Sequence, residues 1–226
     1  MNKKTIRGKL TQIIKIVKVY LGFPHVWITI IIAILSAVLL MLAVIYNNKN
    51  NLLFSVFINM FSGFVTGLII CLVATAKSMW SYKTESIIEW IENTHSKCLD
   101  FINQHRELLI SKKHIIDDDY YNEIYELICL GNQIYSDITQ SSFNKSLPFD
   151  PYEYCKKVFD IDAVEVVKSN QDIRDKIIYE FDSLSESEIY EVIHPMEHKI
   201  FIFNGDLIKL KSSLMMKMKY IRTSII

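Results

Sequence analysis

Two long uncharged stretches dominate the pattern of apolar and polar positions along the chain. With histidine counted as neutral, residues 19–48 and 50–76 carry no charge, and 26–46 is almost continuously apolar. Each stretch exceeds the roughly 20 residues that a helix needs to cross about 30 Å of hydrocarbon. A secretory signal peptide has a shorter apolar core, and it would leave the second stretch unexplained. The pattern therefore predicts two transmembrane helices.

A turn of only five residues, "NNKNN" at 47–51, separates the two stretches. A connection this short predicts a tight antiparallel hairpin. Positive charge marks the cytoplasmic side of membrane proteins. Six Lys or Arg residues precede the hairpin, Lys49 lies in the turn, and Lys77 and Lys83 follow it. We therefore expect both termini in the cytoplasm, with the hairpin occupying residues 25–76.

The segment before the hairpin, residues 1–24, is basic and contains no acidic residue. Within 3–21, apolar residues recur at helical spacing, and most of the cations fall on the opposite face. These cations include Lys4, Arg7, Lys15 and Lys18. The pattern is typical of a helix lying in the membrane interface, where anionic headgroups attract it. The alternative is a topology signal whose amphipathic spacing is incidental.

The remaining residues, 77–226, predict a helical cytoplasmic domain, so the expected fold class is mainly α. The second apolar stretch continues into a helical pattern at 78–110 that no Pro or Gly interrupts. Further helices are predicted at 117–138, 152–168, 171–182 and 186–193. A loop is expected at 141–151.

The C-terminal part of this domain carries conflicting signals. Ser185 and Glu188 have the spacing of a capping box, and Pro195 is expected to end the helix that they begin. The stretch 200–210 contains Asn-Gly, which fits a small β-hairpin. Its later apolar spacing favours a helix that begins near Asp206 instead.

The charge of residues 77–226 limits the partners of this domain. Counted with its short basic tail between 209 and 222, it contains seven more acidic than basic residues. An acidic surface repels phosphate, so we expect no direct nucleic-acid binding, and a protein partner fits better.

No catalytic, cofactor-binding or metal-binding group emerges from the sequence. His194 and His198 flank Glu197 in "HPMEH", but Pro195 disfavours a helical conformation at His194 and no third ligand is evident. The 6 glycines form no phosphate-binding loop, and the cysteines are too widely spaced for a metal knuckle. We therefore expect no enzyme.

A membrane enzyme would need a polar cluster where the second apolar stretch leaves the membrane. The candidates on the helix 78–110 are His95 and His105. Ordinary surface positions explain both histidines equally well.

The second apolar stretch contains more small and polar residues than an anchor needs. One face carries Ser55, Asn59, Ser62 and Thr66, and Gly63 and Gly67 lie beside it as a GxxxG pair. The first stretch has a matching series in Thr29, Ala33, Ser36, Ala37 and Ala43. Membrane helices associate through close packing at small residues and through hydrogen bonds between polar ones. The two series either pack one hairpin together, or the second joins several hairpins and lines a leak path.

The basic head, the "NNKNN" turn, the GxxxG-bearing stretch and the helical domain together resemble the small two-transmembrane effectors of bacterial anti-phage systems, in particular those encoded beside retron reverse transcriptases. The resemblance implies a toxin of the bacterial inner membrane that a cognate complex, such as a reverse transcriptase with its nucleic acid, keeps silent. Released from inhibition, it would oligomerise and permeabilise the membrane, causing abortive infection. The alternative is a non-toxic membrane anchor that tethers a cytoplasmic protein.

Overall fold

The computed structural model describes residues 17, 21–22, 24–47, 49–110, 117–141 and 147–223. Every regular element within these residues is helical, which confirms the mainly α fold class. The chain divides into two units, Met1–Lys83 and Thr84–Ile226. The basic residues singled out in the head lie outside the described residues; they are Lys4, Arg7, Lys15 and Lys18.

Six α-helices make up the described part of the chain. They are α1 (Pro24–Tyr46), α2 (Asn51–Ile110), α3 (Asp118–Ser141), α4 (Pro151–Phe159), α5 (Ala163–Glu180) and α6 (Glu186–Thr223), with a 3-10 turn at Phe181–Ser183. Both α1 and α2 are long and apolar enough to cross a membrane. As predicted, the helix of the second apolar stretch continues through 78–110, and α2 is 60 residues long.

The core of the second unit includes faces of α2, α3 and α6 on which large apolar side chains recur at helical spacing, and α4 and α5 add Cys155, Ala163 and Ile177. The fully buried members of the three faces are Ile91, Cys98 and Phe101 on α2, Leu127, Ile128, Ile134, Tyr135 and Ile138 on α3, and Ile189, Met196, Ile200, Phe203 and Leu207 on α6. Burial of each large apolar side chain contributes about 2 kcal/mol, so these faces hold the unit together.

Gly131 allows α3 to lie close to its neighbours in this core. A Cβ atom at this position would lie 2.5 Å from Met196 Sδ, 2.9 Å from the Phe101 ring and 3.2 Å from Ile200 Cδ1. The first two distances are too short for non-bonded atoms, and the interior is already close-packed. Glycine is therefore needed here for space.

Two helices replace the single helix that was expected at 152–168. The Asp150 carboxylate accepts a hydrogen bond from Tyr152 N at 3.0 Å, and that of Asp162 accepts one from Val164 N at 3.1 Å. Asp160, between them, has φ 55°, in the left-handed region that ends a helix. These caps separate α4 from α5, and α5 in turn absorbs most of the helix expected at 171–182.

α6 runs from Glu186 to Thr223 without a break, with Pro195 inside it. Its start agrees with the predicted capping box, because Ser185 N donates to Glu188 Oε2 at 2.8 Å and Glu188 N donates to Ser185 Oγ at 3.4 Å. Three expectations were wrong: Pro195 does not end a helix, 200–210 is not a β-hairpin, and no helix begins near Asp206.

The apolar spacing on α6 explains these errors. Ile193, Met196, Ile200, Phe203 and Leu207 are buried on one continuous helical face that passes both the proline and the Asn-Gly pair. A proline in a helix costs about 3 kcal/mol and a glycine about 1 kcal/mol. Burial of five large side chains outweighs both costs, so tertiary packing overrides the local signals.

Candidate association face on α2

Few residues of the first unit are buried. Among its described residues only Thr29, Ser36 and Ala43 are, and all three lie on one face of α1 at seven-residue spacing. The hydroxyl groups of Thr29 and Ser36 donate to the carbonyl oxygens of His25 and Ile32, both at 2.8 Å. This face therefore carries polar groups that are already satisfied within α1.

α1 contacts α2 near both of its ends. Thr29 Oγ1 lies 3.1 Å from Thr75 Oγ1, and the ring centroids of Tyr46 and Phe57 are 5.7 Å apart. Residues at the same helical spacing as Phe57 and Thr75 are half-buried; they are Phe61, Phe64, Leu68 and Cys71. The side of α2 that is partly covered within this unit therefore consists mainly of large apolar residues.

The small and polar residues of α2 lie on its other side. Ser55, Asn59, Ser62, Gly63 and Thr66 are exposed, and Gly67 is half-buried. In the first stretch, Ala33 and Ala37 are also exposed, whereas Thr29, Ser36 and Ala43 are buried. We call Ser55, Asn59, Ser62, Gly63, Thr66 and Gly67 the α2 face. Apart from the half-buried Gly67, the α2 face is exposed.

The two glycines of this face border open space. A Cβ atom at Gly63 or at Gly67 would meet nothing within 4 Å. This differs from Gly131 in the second unit, where a Cβ atom would meet three side chains. Neither Gly63 nor Gly67 is needed for packing within the described part of one chain, so any close packing at them must come from outside the described residues.

The polar groups of the α2 face differ in how they are satisfied. Thr66 Oγ1 donates to the carbonyl oxygen of Ser62 at 3.1 Å. The Asn59 side chain makes no hydrogen bond with any described residue. A primary amide surrounded by hydrocarbon needs a hydrogen-bond partner or water. Asn59 is therefore the residue of this face with the strongest requirement for a partner.

The second unit contains a polar cluster around His105 that the sequence did not predict. His105, for which a membrane-enzyme cluster and an ordinary surface position were both open, is 5% exposed, and its Nδ1 lies 3.3 Å from Glu197 Oε1. His194 Nδ1 lies 3.2 Å from the other carboxylate oxygen. A signal existed, because His105 falls four residues after the buried Phe101, on the apolar face of α2. His95, in contrast, is half-buried and hydrogen-bonds to Asn204 Oδ1.

Two thiols of the second unit, those of Cys98 and Cys155, are fully buried. Burial raises the pKa of Cys98 and of Cys155 to about 12, so both thiols are protonated at neutral pH. The residues that the structure describes contain no group of three or more side chains that could hold a metal ion.

No protein-family model, curated protein or solved structure matches this chain, so its interpretation depends on its own sequence and geometry.

Proposed function

We propose that the protein is a membrane effector that assembles through the α2 face and permeabilises the bilayer. In this proposal α1 and the apolar part of α2 form a transmembrane hairpin with both termini in the cytoplasm. The observation that carries it is the open space beside Gly63 and Gly67, where a Cβ atom would meet nothing within 4 Å, on a face whose other members are exposed. A second copy is the simplest partner for such a face in lipid.

The exposure of the two apolar helices supports a membrane location. In the most apolar window of α2 no residue is buried, and in that of α1 the buried share is 17%. The core helix of a water-soluble protein would be mostly covered. The exposed side chains include Ile34, Met41 and Val44, of which Val44 is 69% exposed. Hydrocarbon is the solvent that suits these surfaces.

Assembly gives a physical route to permeabilisation. Several copies that meet through the α2 face would bring Asn59, Ser62 and Thr66 together around a common axis. Their polar groups would then satisfy one another or line a path for water and ions. A partner complex that binds the second unit and keeps the hairpins apart would hold the protein silent. An anti-phage role in the bacterial inner membrane is what the resemblance of the layout implies.

The test is induced expression of the full chain in bacteria, with membrane potential and propidium iodide uptake followed alongside growth. The variants are Gly63→Ile and Asn59→Leu, and membrane insertion is measured for each. We expect rapid depolarisation with the unaltered chain and at least a tenfold smaller effect with both variants. Ala37→Ile is the matched control, because it enlarges a small exposed residue on α1 by the same side chain. It should depolarise like the unaltered chain.

Other results would contradict the proposal. Depolarisation that persists in inserted Gly63→Ile would exclude the α2 face as the acting surface. An equal loss in Ala37→Ile would show that any enlarged exposed residue is harmful. Normal growth and potential from a well-inserted unaltered chain, expressed without a partner, would favour the anchor function instead.

A further inference from the structure

The second unit contains a cavity of about 500 Å³ beside the buried His105. Its walls come from α2, α3 and α6, and they include the apolar side chains of Ile124, Leu127, Ile189 and Ile193. Pockets that bind small molecules measure about 300 to 1,000 Å³ and combine mostly apolar walls with a few polar groups. This cavity has both properties, and the proposed membrane activity does not use it.

His105 belongs to the wall of this cavity, and its ring nitrogens are candidate hydrogen-bonding groups for a ligand. Its side chain is 7% exposed, and Nδ1 lies 3.3 Å from Glu197 Oε1. The negative charge of Glu197 beside Nδ1 favours the neutral tautomer that carries its proton on Nδ1. Nε2 is then left as an acceptor, and no described residue donates to it. Burial lowers the pKa of His105, against the opposing effect of Glu197, which agrees with a neutral ring.

Aromatic rings flank His105 on two sides. The His105 and Tyr190 ring centroids are 6.2 Å apart with an interplanar angle of 28°, and Phe101 is stacked on His105 at 6.2 Å and 1°. Tyr190 also lines the cavity. Planar walls favour a planar ligand, because flat rings stack over a large area.

The charged residues of the described lining are acidic. Glu186 and Glu191 line it and are exposed, so they mark its mouth. No Lys or Arg belongs to the described lining. A cationic group on a ligand would be attracted to this mouth, and an anionic group would be repelled.

We propose that this cavity binds a small planar aromatic amine, with a ring N–H donated to His105 Nε2 and an ammonium group near Glu186 and Glu191. The ring lies against Tyr190 and the apolar wall. This assignment concerns binding only, and it does not depend on the proposed membrane activity.

The experiment uses the full chain in lipid nanodiscs and tryptamine as the probe, with the histidine rings labelled with ¹³C at Cε1. We expect a saturable shift of the His105 resonance, which is identified by its loss in His105→Phe. 1-Methyltryptamine lacks the ring N–H and should bind about tenfold more weakly, because Nε2 is left without a donor. Indole-3-acetate, which carries a carboxylate, should bind more weakly still. Empty nanodiscs correct for partition of the probes into lipid.

Variants test whether tryptamine binds in this cavity or elsewhere on the protein. Binding to each variant is detected by magnetisation transfer from the protein to tryptamine. Glu186→Gln with Glu191→Gln should weaken tryptamine several-fold, and these exposed residues can change without disturbing the core. His198→Gln is the matched control, an exposed histidine on the same helix that does not line the cavity, and it should bind normally. Circular dichroism checks the fold of every variant.

The proposal is overturned by any of three results. One is the absence of a saturable His105 shift at millimolar tryptamine. Another is equal affinity for tryptamine, its 1-methyl form and indole-3-acetate, which would show unspecific apolar binding. The third is a doubly substituted rim variant that binds as tightly as the unaltered chain.

Discussion

The two units of this protein place polar and apolar residues in opposite ways. In the first unit the buried described residues are Thr29, Ser36 and Ala43, while side chains such as Met41 are exposed. In the second unit Ile91, Leu127 and other large apolar residues are fully buried. Water drives apolar side chains together, whereas lipid does not. The same chain therefore carries two surfaces suited to two solvents.

The glycines make the difference between the units concrete. Gly131 lies where a Cβ atom would collide with Met196 and Phe101 and crowd Ile200, whereas Gly63 faces open space. In the second unit, Gly131 is therefore small because the core around it is already closely packed. Neither glycine of the α2 face has such a use among the described residues, and this contrast is the basis of the proposed assembly.

The largest expected effect comes from placing the same side chain at both glycines. Gly131→Leu should lower the free energy of unfolding by about 3 kcal/mol or prevent folding, because the core around Phe101 and Met196 has no room. Gly63→Leu should leave the free energy of unfolding of the second unit unchanged. Urea unfolding followed by circular dichroism in nanodiscs measures both.

Gly131→Ala adds only the Cβ atom and should destabilise less than leucine does. If Gly131→Leu were tolerated as well as Gly63→Leu, the close approach of α3 to Phe101 would be wrong.

A smaller effect is expected from the pH dependence of the second unit. His105 has a lowered pKa, with burial as the main cause, Glu197 opposing it and His194 adding to it. The unfolded chain, with a histidine pKa near 6.5, binds a proton that the folded chain resists. Stability is therefore fully present above about pH 6.5 and falls as the pH drops from there towards the lowered pKa, by at most about 1.4 kcal/mol for each pH unit.

Urea unfolding of the full chain at several values between about pH 7.5 and 5.5 measures this slope. His105→Phe should reduce it, and His198→Gln, a change at an exposed position, should not. A slope that is the same in His105→Phe and in the unaltered chain would assign the effect to other groups.

The smallest expected effect tests the helix at Asn204-Gly205. Nothing lies within 4 Å of a Cβ atom at Gly205, and α6 is helical there. Gly205→Ala should therefore stabilise the second unit by about 0.8 kcal/mol, because alanine is the better helix former. In an Asn-Gly hairpin turn the glycine would need a positive φ, and alanine would destabilise instead. The sign of the change in a thermal unfolding experiment separates the two structures.

The sequence predicted the elements whose signals were long and consistent. The two uncharged stretches, the continuation of the second through 78–110 and the helix at 117–138 all agree with the structure. The capping box of Ser185 and Glu188 also placed the start of α6 correctly. Where local and long-range signals disagreed, as at Pro195, the local signal was followed and the prediction was wrong.

The candidate association face was also predicted only in part from the sequence. Spacing alone identified the small and polar series on the second stretch, because helical periodicity needs only the sequence. Spacing did not show which side of α2 contacts α1. The cluster of His105, Glu197 and His194 joins residues far apart in the sequence, and no local pattern pairs them.

By itself, the sequence determined the helical class, the two apolar helices and the separation of a basic head from an acidic domain. These follow from composition and periodicity, which act within one segment of chain. Only the tertiary structure decided that the α2 face lies uncovered, that α6 passes through Pro195 and that His105 is buried on Glu197. Each of these depends on contacts between side chains that lie far apart in the sequence. At Pro195, the free energy gained by burying the apolar face of α6 exceeds the cost of a proline inside a helix.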